Sequence, residues 1–356
     1  MKLVLRWFPY GDDSVSLRQI RQIPGVKGVA TCLSRVPVGD VWTMDEILHV
    51  KNMINSRGLE MEVIESLNIH EDIKKGLSTR DMYIDNYILS MKNLASCGVK
   101  CICYNFMPVM DWYRSALSHY LPDGSYTMSY SHDDAVKLSL SGITSSMMRG
   151  SNNFSLPGWE PERFAQMAED IKFYKHISSA EYFANIKYFL DAVIPVAESL
   201  DIDFAVHPDD PPWPLFHLPK VVNCKESISK YLDLVPSKRN GLTLCTGSLA
   251  ADPANDVADI ASTFAAMGKI HFVHLRNIKH ISEKDFYESA HLSSCGDLDM
   301  AKIVRCLYEN GFDGYIRPDH GRMIWDETGR PGYGLYDRAL GAAYINGLWE
   351  AITKNG

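Results

Sequence analysis

Residue types that bind divalent metals recur at comparable places in the second half of this chain: His207, Cys245, His274 and the pair Asp319-His320. Each closes a short apolar run, Asp203 to Val206, Gly241 to Leu244, Ile270 to Val273 and Gly314 to Arg317. Such runs, bounded by turn formers, read as strands of a sheet covered on both faces. After His207 come Pro208, Asp209, Asp210, Pro211 and Pro212. Proline offers no N–H to a ladder, so the strand must stop there and leave the imidazole where strand opens into loop. Two imidazoles, a thiolate and a carboxylate make a divalent-metal set, with bonds of about 2.0–2.3 Å. Mixed N, S and O donors suit zinc, ferrous iron or manganese and exclude an all-oxygen calcium cage. Held beside a substrate, such an ion polarises a carboxylate or hydroxyl and stabilises a developing enolate. Taken singly, each residue reads as a core histidine or a small buried thiol; their fall at equivalent strand ends points to chemistry.

The elements that must position them follow from the periodicity. Strands are expected at Leu3 to Phe8, Val26 to Leu33, Leu59 to Ile64 and Val99 to Tyr104, followed by the four above. Helical spacing separates most of them: Ile47, Val50, Met53 and Ile54 after a Thr43/Glu46 capping box, Ile84 to Leu94, Phe183 to Val193, and Ile303 to Leu307. Eight alternating units favour an α/β fold of the (β/α)8 TIM barrel type, whose strand C-termini converge on one mouth. The rhythm breaks after strand four. Residues 106–179, rich in Trp, Tyr, Ser and Gly, show no clean strand–helix alternation and read as a long insertion that could act as a lid. No linker divides the chain, so residues 1–356 are expected to form a single barrel domain.

Further groups reach the same mouth. Trp7, Glu65-Ser66 and Asn105 end early strands, and Arg276 and Asn277 follow His274. A fixed cation and amides suit an acidic, polyhydroxylated ligand. Tyr333 lies between Gly332 and Gly334, on backbone that can approach a ligand closely. No Gly-x-Ser-x-Gly elbow, phosphate-cradling loop or dinucleotide fingerprint occurs, which argues against serine acyl transfer, NTP hydrolysis and dinucleotide-dependent redox. The formal net charge of -8 and the lack of a basic run make nucleic acid or an anionic membrane an unsuitable partner. No apolar segment reaches the roughly 18 residues of a membrane span. The eight cysteines are scattered, several inside apolar runs, as free thiols of a reducing cytosol are.

At these residues the chain resembles the bacterial mannonate dehydratase family, the metal-dependent one with a xylose-isomerase-like barrel. The resemblance runs from Trp7-Phe8-Pro9-Tyr10-Gly11 through Val63-Ile64-Glu65-Ser66, Tyr104 to Val109 with Asp111, Trp112 and Arg114, and His207 to Pro212. It continues through Leu244-Cys245-Thr246-Gly247-Ser248, Phe272 to Asn277 and Arg317-Pro318-Asp319-His320-Gly321. It implies cytoplasmic dehydration of D-mannonate to 2-keto-3-deoxy-D-gluconate in hexuronate breakdown, with Mn2+ or Fe2+. Carried onto this sequence, it implies His207, Cys245, His274 and Asp319 as metal ligands and His320 with Tyr333 as the acid/base pair. Trp7, Asn105, Trp112, Arg114, Arg276 and Asn277 are then candidate substrate contacts, Trp112 and Arg114 from the lid. A homodimer is the fold-level expectation. A sugar isomerase or epimerase on the same barrel, or a non-catalytic sugar-acid binding protein, would carry similar contacts and differ in product.

Overall fold

The computed structural model describes residues 1–156, 159 and 161–355. Among them the strands are, in chain order, β1 (Lys2–Arg6), β2 (Val26–Thr31), β3 (Glu60–Glu65), β4 (Cys101–Tyr104), β5 (Ala116–Tyr120) and β6 (Tyr126–Tyr130). They continue with β7 (Asp203–Val206), β8 (Asn240–Cys245), β9 (Ile270–Leu275), β10 (Ile278–His280), β11 (Phe286–Glu288) and β12 (Tyr315–Pro318). Eight of them close a barrel in the order β1-β12-β9-β8-β7-β4-β3-β2, and every pairing is parallel. These are the eight strands the apolar runs predicted.

Alternation along each strand sorts its residues between two cores. Val4, Ala30, Val63, Cys101, Cys103, Ala205, Phe272 and Tyr315, all on barrel strands, form a small cluster of their own inside the barrel. Their sequence neighbours, such as Leu3, Leu5, Ile64, Phe204 and Val273, belong instead to the large outer cluster shared with the helices. Capping boxes fix the starts of the helices that supply this outer layer. Thr43 accepts from the Glu46 amide at Met44–Asn55, and Ser178 from the Glu181 amide at Ser179–Leu200. Each such cap is worth about 1 kcal/mol.

The stretch 106–179 is more regular than its sequence suggested. It contains β5, β6 and helices His132–Lys137, Leu140–Gly150 and Pro161–Tyr174. β5 and β6 form a hairpin over Pro122-Asp123-Gly124, with Gly124 at φ +85°, a conformation that favours glycine. β6 pairs antiparallel with β11, and β11 with β10, giving a four-stranded sheet of order β10-β11-β6-β5. This sheet joins the segment after β4 to the loop that follows β9, and so ties two distant parts of the barrel rim together. The Asp-Gly turn between two Tyr- and Ser-bearing runs was the available signal for the hairpin. Strands of three to five residues give too few alternations to stand out from a loop.

Candidate active site and metal centre

The site is the next inward layer of the barrel. Moving two residues along a strand returns to the same face. From Val4 that step reaches Arg6, from Val63 Glu65, from Cys103 Asn105 and from Ala205 His207. From Phe272 it reaches His274, and from Tyr315 Arg317 and then Asp319. The apolar plug is thus roofed by polar groups, which open on a cavity of about 820 Å³ lined among others by Arg6, Glu65, His207, His274, His320 and Tyr333.

His207, Cys245 and His274 each bring one potential ligand atom to within 4.8 Å of the other two. Cys245 and His274 are register partners on β8 and β9, which fixes their approach. His207 Nδ1 donates to the Pro208 carbonyl at 2.7 Å, leaving the lone pair on Nε2. Burial pushes the His207 pKa down, toward the neutral form that binds metals. Asp319 borders the group, its Oδ2 3.6 Å from Cys245 Sγ and its Oδ1 3.8 Å from His274 Nδ1. His274 Nε2 and Glu65 Oε2, 3.5 Å apart, are both buried without a hydrogen-bond partner. Orphaned atoms beside two imidazoles, a thiol and a carboxylate fit a divalent cation.

Around this group lies a dense ionic network. Arg317 Nη2 reaches Asp319 Oδ1 at 2.6 Å and Glu65 Oε1 at 2.8 Å. Burial alone would raise both carboxyls, yet Arg317, aided by neighbouring histidines, holds them well below the usual range. A second network runs through Arg114, Asp210, Arg276 and Glu288, each no more than 4 % exposed. Arg114 forks onto both Asp210 oxygens at 2.7 and 2.9 Å, and Arg276 Nη2 donates to Asp210 Oδ2 at 2.8 Å. Glu288 Oε1 accepts from Arg114 Nε at 3.0 Å and Arg276 Nη1 at 2.9 Å. Two cations against two anions leave no uncompensated buried charge. The Asp210 carboxyl is held far below its ordinary value despite burial. That of Glu288 is brought to about 2, burial being outweighed by His320, Arg276 and Arg114. Gly247 makes room for this arrangement, since a Cβ there would sit 2.2 Å from Arg276 Nε.

His320 Nδ1 lies 2.8 Å from Glu288 Oε2 and 2.8 Å from Arg276 Nη1. The Tyr333 ring meets the His320 ring edge-on at 5.1 Å. Burial pushes the Tyr333 hydroxyl up to about 12, against the pull of Arg317. Gly332, at φ +77°, lets this loop pass close to Met128 and His320. His320 and Tyr333 therefore face the same cavity as the metal-type group.

The structure brings His207, Cys245, His274, Asp319, His320, Tyr333 and Arg276 together, and places Asn105 and Trp112 on the cavity wall. Three sequence-predicted substrate contacts lie elsewhere. Trp7 belongs to the outer core, while its neighbours Arg6 and Phe8 face the cavity, because alternation turns Trp7 outward. Arg114 is committed to Asp210 and Glu288 and is not among the lining residues. Asn277 is fully buried, donating to the Leu292 carbonyl and accepting from the Ile278 and Leu298 amides, so it pins the loops beside β10. Sequence reading missed Glu288 and Arg317 and left Asp210 without a role. Arg317 was findable from the period of two; Glu288 and Asp210 show their purpose only through partners remote in sequence.

A closed parallel barrel gathering metal-type ligands at its C-terminal mouth defines a TIM-barrel protein. A xylose isomerase domain protein from Planctomyces limnophilus shares the fold over 99% of this chain and 98% of its own, at TM-score 0.57 and 11% identity. The family model described as D-mannonate dehydratase (UxuA) matches residues 1–356, and the chain belongs to that family. A mannonate dehydratase of Thermotoga neapolitana is 52% identical over 99% of this chain and 98% of its own. One from Lactococcus lactis subsp. cremoris is 51% identical over 100% and 99%. The crystal structure of mannonate dehydratase from Streptococcus suis serotype 2 matches at TM-score 0.88 and 40% identity, covering 100% of this chain and 94% of that one. No helix among the described residues is long and apolar enough to cross a membrane.

Proposed function

We propose that this chain is a hydro-lyase that dehydrates D-mannonate to 2-keto-3-deoxy-D-gluconate. The observation that carries the reading is the meeting of His207, Cys245 and His274 with His320 and Tyr333 around one cavity, in a chain matched end to end by the family. His207, Cys245, His274 and Asp319 would hold the divalent ion, Mn2+ or Fe2+ by family resemblance. When bound, the ion supplies Lewis-acid stabilisation of the charge that builds on the substrate carboxylate and oxygens.

The chain's own residues do the rest. Arg276 and Arg317, fixed by buried carboxylates, present a positive wall to a sugar acid. Asn105 and Trp112 offer polar and stacking contacts to the polyol. His320 takes the proton from C2; the C2–H electron pair forms the C2=C3 bond as the C3–O bond breaks. Tyr333, protonated at neutral pH, gives its proton to the departing hydroxyl, which leaves as water. The enol then becomes the ketone: its O–H proton returns to the Tyr333 oxygen, and His320 delivers its proton to C3. Both residues end as they began. Residues 106–179, read as an insertion within one barrel domain, cover the substrate through cavity-lining side chains such as Met107, Asp111 and Trp112.

The test is the product. Pure protein with Mn2+ and D-mannonate is expected to yield a 2-keto-3-deoxy acid. Formation of an epimer alone, or of an aldose/ketose shift alone, would show a different enzyme on the same barrel.

A further inference from the structure

Glu288 is not at a barrel strand end. It arrives on β11, in the antiparallel sheet that bridges the segments after β4 and β9. Its two oxygens face different partners. Oε1 is occupied by Arg114 and Arg276, at 3.0 and 2.9 Å. Oε2 meets His320 Nδ1 at 2.8 Å. Arg276 Nη1 is also 2.8 Å from that nitrogen, so two hydrogen-bonding patterns compete. If Arg276 donated to an unprotonated Nδ1, then Nδ1 and Glu288 Oε2 would be two acceptors 2.8 Å apart with no proton between them. The contact is largely shielded, Glu288 being 2 % exposed and the His320 side chain 13 %, so solvent would screen that repulsion only weakly. Arg276 Nη1 has Glu288 Oε1 as an alternative acceptor, whereas Oε2 has His320 alone among the hydrogen bonds of the described residues. The arrangement is satisfied when Nδ1 carries the proton.

We propose that Glu288 is a positioning residue that keeps the His320 proton on Nδ1 and thereby leaves Nε2 as the nitrogen able to take the substrate proton. The inference rests on the reading of His320 as the base. It assigns the bridging sheet a part in the reaction: β6 and β10 hold β11 in register, Tyr130 opposite Phe286 and Ile278 opposite Glu288. Arg114 and Asp210, in turn, hold the carboxylate's other oxygen and its partner Arg276.

Two measurements test this. In the parent protein loaded with Zn2+ as a diamagnetic ion, 15N-histidine NMR at pH 8 is expected to show the His320 proton on Nδ1. The signals are assigned by their loss in His320→Gln. A proton on Nε2 overturns the proposal, and this result needs neither turnover nor a folded Glu288 variant. In the Mn2+ enzyme, Glu288→Gln is expected to lower kcat by about 10²–10⁴-fold with KM for D-mannonate within about threefold, because an amide can donate to Nδ1 and shift the proton to Nε2. Glu288→Asp, which keeps the acceptor, is expected to recover part of the rate. A Glu288→Gln enzyme with unchanged kcat, or one altered only in KM, overturns the proposal. A parent enzyme that makes no 2-keto-3-deoxy acid instead removes the base reading of His320, a failure distinct from a misplaced proton in the NMR.

Discussion

The apolar layer inside the barrel and the layer two residues further along the same strands share a backbone but not a logic. Val4, Val63 and Phe272 sit among other apolar groups, and each contributes roughly 1.5–3 kcal/mol by leaving water. Arg6, Glu65, His274, Arg317 and Asp319, one pleat on, are equally buried or nearly so, and each alone would cost several kcal/mol. They are tolerable only as a set. A loss in the lower layer is therefore local and steric, whereas a loss in the upper layer strands a partner. The upper layer places fixed charge where a reaction develops charge, and the lower layer keeps that framework from relaxing.

Breaking the comparison at its most reactive point should give the largest effect. Cys245→Ser, or chelation of the parent, is expected to cut turnover of D-mannonate by about 10⁴-fold, several kcal/mol of transition-state stabilisation. Mn2+ should restore the chelated parent but not the variant; full activity in metal-free protein would refute the metal reading. Next comes Asp210→Asn, which leaves Arg114 and Arg276 underpaired. Urea unfolding is expected to show a loss of about 3–5 kcal/mol, as for other broken buried pairs. Val4→Ala, in the apolar layer, should cost about 2–3 kcal/mol in the same assay while kcat stays close to that of the parent. A Val4→Ala enzyme that lost its rate along with its stability would show that the two layers are not separable.

Acid titration sharpens the contrast by a smaller effect. Asp210 and Glu288 have folded values below unfolded ones of about 3.9 and 4.3, Glu288 lying at about 2. The unfolded chain thus binds protons first as the pH falls. The stability these carboxylates contribute is full above about pH 5 and drains away as the pH drops toward the folded values. Unfolding midpoints between pH 5 and pH 3 should fall steeply for the parent and for Val4→Ala alike, and less steeply for Asp210→Asn. Parallel slopes in all three would locate the acid sensitivity elsewhere.

Much of this was legible in the sequence, for identifiable reasons. The eight barrel strands announced themselves because parallel strands covered on both faces are apolar without interruption. The convergence of His207, Cys245, His274 and Asp319 was legible because a barrel converts equivalent strand ends into spatial neighbours. Trp7, Arg114 and Asn277 were misplaced because adjacency to a motif says nothing about the face a side chain takes; Trp7 is one residue out of phase with Arg6 and Phe8. The small sheet and Glu288 were not legible. β11 has three residues, and its partner β6 lies some 150 positions earlier, so neither length nor local pattern betrays the pairing. A buried acid's role is defined by what surrounds it, and the partners of Glu288, Arg114, Arg276 and His320, come from three separate segments.

The pairing of β1 with β12 has a consequence for synthesis. The first strand made must wait for the last barrel strand before its edge is covered. Asp319, His320 and Tyr333 emerge later still, and Arg338 then clasps the Arg6 carbonyl from the final helix. A nascent chain long enough to display His207, Cys245 and His274 thus lacks the groups assigned to proton transfer. On the proposed assignment the proton-transfer groups are the last of the site to be made, so a polypeptide ending before residue 320 carries His207, Cys245 and His274 without His320 or Tyr333.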